Sequence, residues 1–431
     1  MHITRVEIEN IRSIEHFRWE FDGDAAGWHV LLGVNGSGKS TVLRAMALAL
    51  VGPGRAAALR QDWDRWLRQG RDTGSCLLRV EPAAPQLDPP TGSSGGQGWN
   101  LGVDFDRLRS EVLSAGAELD PSGGPSIWES GKGWFSSSFG PFRRFTGGRS
   151  DYDRLFKAQP KLARHLSIFG EDVALTECLD WLKELYVRRL DSSHRGLSEQ
   201  SAQIESLLEQ VMTFVNGSEL LPHGVEMKGV TYDHVEFIDG NGCELPVLEL
   251  SDGYRSVLSL AFELLRQLAE CYPAEALFEP DDPSRVAVPG VVLIDEVDVH
   301  LHPLWQRKIG PWFRQHFPQI QFIVTTHSPF ICQAAEVGSI WRLPDPGEIG
   351  EAEPITGALF DRLVYGDLMD AYSTGFFGEE STRSAASRRK HRRLAELNLR
   401  SLQTDLSPKD QREQEELRRI FPSTPDPGLA R

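Results

Sequence analysis

No apolar run in this 431-residue chain approaches the ~20 residues a membrane-crossing helix requires, which excludes a spanning helix and a membrane partner. The opening stretch, MHITRVEIEN, alternates like a strand and has no signal-peptide apolar core, so the expected compartment is the cytoplasm. Cysteine is scarce: Cys76, Cys178, Cys243, Cys271 and Cys332 are scattered and none forms a Cys-x-x-Cys pair. That argues against a structural zinc site and against a disulfide framework. Positive charge is in deficit, with 46 Lys and Arg against 62 Asp and Glu and a net charge of −16. The surface as a whole therefore does not draw nucleic acid through a long-range field, and any such contact has to be local. There is no fixed-period repeat and no sustained heptad run, so a long coiled-coil arm is not expected. What remains is the composition of a soluble α/β protein, long enough for one large head with insertions.

Along the chain, residues 3–9 and 17–21 read as short strands on either side of Asn10-Ile11-Arg12-Ser13. His29 to Leu32 is a third strand, running straight into a turn at Gly33. Val42, Leu43, Met46, Ala47 and Leu50 then recur at helical spacing from Ser40 to Leu50, until Gly52-Pro53-Gly54 stops the helix. Cys76 to Val80 reads as a strand. From Glu81 to Gly133 the composition turns to Pro, Gly and Ser, which predicts a surface loop insertion without a core of its own. Residues 152–215 carry helical patterns. Val235 to Ile238 and Pro246 to Leu250 read as strands, and Tyr254 to Cys271 as an amphipathic helix. Val291 to Ile294 and Phe322 to Val324 are continuous apolar runs, as in buried parallel strands. The expected organisation is an N-terminal part of a head over 1–150, a helical insertion over 151–220, the rest of the head over 221–345 and a helical extension over 346–431.

Gly33-Val34-Asn35-Gly36-Ser37-Gly38-Lys39-Ser40 fits the phosphate-binding pattern G-x-x-x-x-G-K-[ST], with a strand before it and a helix after it. Glycines let backbone N–H groups turn inward around phosphate oxygens, and the helix N-terminus adds its positive dipole end. The candidate nucleotide-binding residues are Gly33, Asn35, Gly36, Ser37, Gly38, Lys39, Ser40 and Thr41, with Lys39 neutralising the β- and γ-phosphates. Val291 to Ile294 delivers Asp295 and Glu296 at its exposed end. Ser40 and Asp295 are the expected Mg²⁺ ligands, and Glu296 the carboxylate that polarises an attacking water. ATP and Mg²⁺ are thus the expected substrate and cofactor. Ser251 is a good N-cap for the helix that follows, and Gly253 permits close approach of its first turn.

At this point the chain resembles the ABC ATPases. Leu250-Ser251-Asp252-Gly253-Tyr254-Arg255 is similar to their signature motif, although Asp252 and Tyr254 depart from its usual form. Thr325-Thr326-His327-Ser328-Pro329 resembles their histidine switch. The resemblance implies an α/β ABC-type P-loop head that closes head-to-head with a second copy, Ser251 and Gly253 completing the site opposite and His327 acting on the γ-phosphate. Ile8-Glu9-Asn10-Ile11-Arg12-Ser13 resembles the N-terminal element of SMC-, RecF- and OLD-like members, which implies a phosphate contact for Arg12. Asp295 through Leu301-His302-Pro303 resembles the OLD-like form, with His302 near the dimer seam. No glutamine is assignable to the Q-loop: Gln61 and Gln97 are candidates by position, as is the Ser138–Arg144 stretch, where Arg143 and Arg144 are possible phosphate contacts.

Within this group the chain looks like the ATPases of bacterial antiphage systems, the Septu (PtuA) and retron-associated families, from Ser138-Phe139-Gly140-Pro141-Phe142-Arg143-Arg144 to the tail around Val364-Tyr365-Gly366 and Phe376-Phe377-Gly378. After His327 there is no Asp-x-Asp cluster and no nuclease signature, so the resemblance implies a separate HNH-type nuclease effector, with the ATPase as sensor and regulator. A RecF- or SMC-like repair ATPase and an ATP-binding scaffold with negligible hydrolysis are the alternative readings. RSAASRRKHRR, over Arg383 to Arg393, is the most basic stretch: either a solvated helix face or a docking site for nucleic acid or an acidic partner.

Overall fold

A computed structural model describes the chain except for residues 22, 24, 57, 60, 85–86, 88–97, 108–110, 116–127, 129–133, 142–158, 170–176, 222–223, 247–248, 250–251, 300, 349, 378–383, 405 and 422–431. The described chain divides into two compact units, Met1–Asp367 and Leu368–Arg431.

The first unit is built on a six-stranded sheet in the order Glu353–Pro354, Gly338–Arg342, Gly27–Leu32, Ile320–Thr325, Gly290–Ile294, Ser136–Phe139. All neighbours run parallel except the two-residue strand at one edge. Three of the four inner strands, GWHVLL, IQFIVT and GVVLI, are buried at every position. Their largely apolar character, interrupted by His29, Gln321 and Thr325, reflects cover on both faces. A second, antiparallel sheet runs Ile14–Glu20, His2–Ile11, Thr73–Glu81, Trp99–Asp106, Glu111–Ala115.

The helix Lys39–Val51 packs against both sheets. It is buried almost all round, including Ala45, Leu48 and Ala49, which fall between the positions that define its amphipathic stripe. A helix apolar on every side is what two covering sheets require.

The Pro/Gly/Ser-rich segment differs from expectation. It contributes two strands, and Leu101, Val103 and Phe105 alternate into the core from one of them. Trp128 is also anchored, its indole N–H donating to Ala49 O at 3.0 Å. Pairing with Thr73–Glu81 orders these residues, because their period-two alternation supplies a buried face that the surrounding composition masks. Of the strand expected over Pro246–Leu250, residues 247–248 and 250 lie outside the described residues; Pro246 ends a strand Glu244–Pro246 paired antiparallel with Val235–Ile238. Helices Glu177–His194 and Ser198–Gly217 pack together across a short turn, and Asp252–Cys271 packs against the first of them.

The second unit contains helices Leu368–Tyr372, Ala385–Gln403 and Pro408–Ile420. Leu394, Leu397 and Leu417 form a small core between the two longer ones. Ser384 and Ser407 cap these helices by accepting from Ser387 N and Asp410 N.

Candidate nucleotide site

Parallel pairing decides where the motifs meet. Leu31 lies beside Thr325 and Val324 beside Ile294, so the C-terminal ends of Gly27–Leu32, Ile320–Thr325 and Gly290–Ile294 emerge along one edge. Open parallel sheets bind ligands outside that edge. The phosphate-loop sequence follows the first strand, Thr326-His327-Ser328 the second and Asp295-Glu296 the third.

The loop has the shape its residues predict. Gly38, with φ 105, is the N-cap of Lys39–Val51. A Cβ there would come within 2.6 Å of Ile14 Cδ1 and 2.8 Å of Ser13 Oγ, so the turn after Arg12 closes down on the loop. Ser37 is buried, and its hydroxyl has no hydrogen-bond partner among the described residues. Lys39 is buried too, and its Nζ donates to Gly33 O at 2.8 Å and Val34 O at 3.2 Å, curling the ammonium over the loop. Burial lowers its pKa, while Asp295, Glu296 and Asp298 pull the other way. The lysine of the first motif thus lies in the field of the carboxylates of the second.

Asp295 is 1% exposed. Its carboxylate accepts from the Thr325 hydroxyl at 2.6 Å, and its N–H donates to Phe139 O at 2.8 Å. The same Thr325 oxygen accepts from Glu296 N at 2.8 Å. Glu296 has φ 48, a left-handed conformation that a non-glycine residue adopts at a cost of ~1–3 kcal/mol and that concentrates at functional sites. Next in line, Asp298 Oδ1 accepts from Thr326 Oγ1 at 2.6 Å and from His327 N at 3.3 Å. The His327 pKa is lowered by burial first and by Lys39 second, with Asp298, Glu296 and Asp295 opposing.

Sequence reasoning missed Thr325, Asp298 and Gln306. Thr325 is a threonine closing an apolar strand, and its role follows only from the register that sets it beside Asp295. The donor set suits Mg²⁺: a hydroxyl, Ser40, lies in the first turn of the helix after the loop, and a buried carboxylate, Asp295, directly follows the motif strand Gly290–Ile294. Both are hard oxygen donors.

The remaining sequence-selected residues have the following surroundings. Arg12, with φ 48, stacks its guanidinium 4.6 Å over the Trp66 ring, and Arg44 is the charged neighbour that lowers its pKa after burial. Gly253 lies in the first turn of Asp252–Cys271, whereas Ser251, Gln97, Arg143 and Arg144 lie outside the described residues. His302 caps the helix Pro303–His316, its Nδ1 accepting from Leu304 N at 3.3 Å. Among the described residues no cluster of His, Cys, Asp and Glu has a metal-binding arrangement, and no helix is long and apolar enough to cross a membrane. Ser138 and Phe139, which open the stretch weighed for the Q-loop, close the edge strand Ser136–Phe139 beside Gly290–Ile294.

The chain is 38% identical to the "Retron Ec83 probable ATPase" of Escherichia coli over 28% of this chain and 21% of that protein. It is 26% identical to the Septu protein PtuA of Bacillus mycoides (strain KBAB4) over 76% of this chain and 38% of that protein. The matches thus span well under half the length of these two relatives. Among solved structures, the SMC head domain from Thermotoga maritima aligns with a TM-score of 0.44 at 15% identity, covering 83% of this chain and 100% of that one. Residues 29–333 match the family described as "AAA domain, putative AbiEii toxin, Type IV TA system". That match runs from the strand entering the phosphate loop to beyond His327, and the chain is a member of this AAA domain family.

Proposed function

We propose that the chain binds ATP with Mg²⁺ at this edge and hydrolyses it, and that turnover drives the opening and closing of a head-to-head dimer. The observation that carries the reading is the convergence of the three motifs, with Lys39 buried in the combined field of Asp295, Glu296 and Asp298. Loop N–H groups from Gly33 to Thr41 and Lys39 would hold the phosphates, and Ser40 and Asp295 the magnesium ion. That ion supplies charge neutralisation at the phosphates when bound. Glu296 lies at the exposed end of its strand, where its carboxylate orients a water and takes its proton. His327 approaches the γ-phosphate end. Ser251 and Gly253 of a second copy would close the site, so ATP affinity and dimer closure are coupled.

Similarity to the Septu and retron proteins supports a role as the ATPase of an antiphage complex. The output would then pass to a separate nuclease of HNH type, with residues 361–420 as the docking segment and the basic helix Ala385–Gln403 as a local contact for nucleic acid. The test is phosphate release by the purified chain with ATP and Mg²⁺, run beside a DNA-cleavage assay. ATP turnover without cleavage is expected. Metal-dependent cleavage by the chain alone, lost on mutating an acid outside the ATP site, contradicts the separate effector.

A further inference from the structure

We propose that Asp298 and Gln306 are positioning residues that clasp the histidine switch to the turn carrying the catalytic carboxylate. The inference rests on the ATP-hydrolysis reading above. Two segments meet here beyond the last backbone bond between their strands, Val297 N–H to Thr325 O at 3.0 Å: the turn after Gly290–Ile294, and Thr326–Ser328 after Ile320–Thr325. Side chains join them. Asp298 Oδ1 accepts from Thr326 Oγ1 at 2.6 Å and from His327 N at 3.3 Å. Thr326 Oγ1 in turn accepts from Ser328 N at 2.9 Å, and Ser328 Oγ donates to Gln306 Oε1 at 2.8 Å. Gln306 Nε2 closes the circuit by donating to Leu301 O at 3.0 Å and Asp298 O at 3.3 Å.

Thr326 is 1% and Ser328 7% exposed, so these bonds lie in a low-dielectric setting that favours their geometry. On its other side the turn is less firmly supported: Val297, Val299 and Leu301 face a small cleft whose far wall is Val257 and Leu260 of Asp252–Cys271. The side chains facing each other there are apolar and offer no directional bond, so the clasp supplies the directional link to the histidine segment. Because Glu296 sits two residues before Asp298 and His327 one after Thr326, the clasp couples the two groups that face the γ-phosphate. None of its hydrogen bonds involves Lys39 or the phosphate loop, so it acts on the hydrolytic arrangement; Asp298 also adds to the field on Lys39, a contribution that Asp298→Ala removes and Gln306→Met leaves in place.

The experiment is steady-state ATPase kinetics of the full chain with Mg²⁺ on Asp298→Ala, Asp298→Asn and Gln306→Met, with ATP affinity measured in parallel by calorimetry. Asp298→Ala is expected to lower kcat about ten-fold or more, a larger change than in ATP affinity, and Gln306→Met to lower kcat with ATP affinity within about three-fold. Asp298→Asn keeps an acceptor for Thr326 Oγ1 and His327 N and should restore most of that loss. Gln306→Met should lower kcat in the same way, and it tests the clasp independently if Asp298→Ala folds poorly. Wild-type kcat in both Asp298→Ala and Gln306→Met overturns the proposal, as does a loss that falls equally on kcat and on ATP affinity. A wild-type chain that neither binds nor hydrolyses ATP would instead overturn the underlying functional reading.

Discussion

Thr325 is the residue on which the geometry of both acids converges. Its single buried oxygen donates to the Asp295 carboxylate at 2.6 Å and accepts from Glu296 N at 2.8 Å. Thr325→Val keeps shape and strand propensity and removes only that oxygen. A hydrogen bond to a charged group is worth ~1.5–3 kcal/mol, and a buried N–H left without an acceptor costs ~1–3 kcal/mol. The two bonds share one atom and are not fully additive, so a net destabilisation of about 2–4 kcal/mol is expected. Urea unfolding should show it as a lower midpoint at unchanged slope. The effect on catalysis comes from Glu296, whose left-handed backbone is held against a cost of ~1–3 kcal/mol. Once its N–H is released the residue can relax, and kcat should drop by about ten-fold or more. Thr325→Ser, which keeps the hydroxyl, should recover much of both losses. Stability of Thr325→Val within about 0.5 kcal/mol of wild type, together with undiminished turnover, refutes this reasoning.

Three further outcomes follow from the same structure. Lys39→Ala removes the one side-chain ammonium curled over the loop and should weaken ATP binding at least ~100-fold by calorimetry; affinity within a few-fold of wild type would remove this loop from the site. Gly38→Ala should weaken nucleotide binding about ten-fold or more, since φ 105 strains any residue with a Cβ by ~1–3 kcal/mol and the added methyl must also displace Ile14 Cδ1; normal binding with a normal melting temperature would show that the loop does not need this backbone conformation. His165 is fully buried between Ser136 Oγ and Ser138 Oγ, and burial, with Arg164 and Lys161 nearby, holds its pKa well below the usual histidine range. The unfolded histidine takes up a proton near pH ~6.5 while the native one stays neutral, so stability should fall as pH drops below that value, by up to ~1.4 kcal/mol per pH unit. His165→Gln should flatten this slope, and an unchanged slope in the variant would assign it to other groups.

The parts of the site legible in sequence are those where chemistry fixes residue type and spacing together: Gly33 to Ser40, the apolar strand ending in Asp295-Glu296, and His327 after a second apolar strand. Three strands of the central sheet were legible for the same reason, since runs such as VVLI have few alternatives once flanked by these motifs, while Gly338–Arg342, Glu353–Pro354 and Ser136–Phe139 were not. What escaped was written in weaker signals. The strand Trp99–Asp106 is eight residues inside a Pro/Gly/Ser-rich region, and averaging over that region hides the alternation of Leu101, Val103 and Phe105. Ser136-Ser137-Ser138 is a buried strand only because His165, Gln267 and Arg164 O satisfy its hydroxyls, and those partners are distant in sequence. The left-handed Glu296 and the capping role of His302 are properties of backbone geometry that residue type alone does not encode.

The central claim, that this edge binds and turns over ATP in a closing dimer, is tested most directly by Glu296→Gln in sedimentation velocity with ATP and Mg²⁺, with phosphate release measured on the same samples. The amide should leave the pocket intact while removing the base, so ATP is expected to stay bound, hydrolysis to drop by two orders of magnitude or so, and a long-lived dimer or higher oligomer to accumulate. A variant that hydrolyses ATP at the wild-type rate, or that stays monomeric when saturated with ATP, would contradict it.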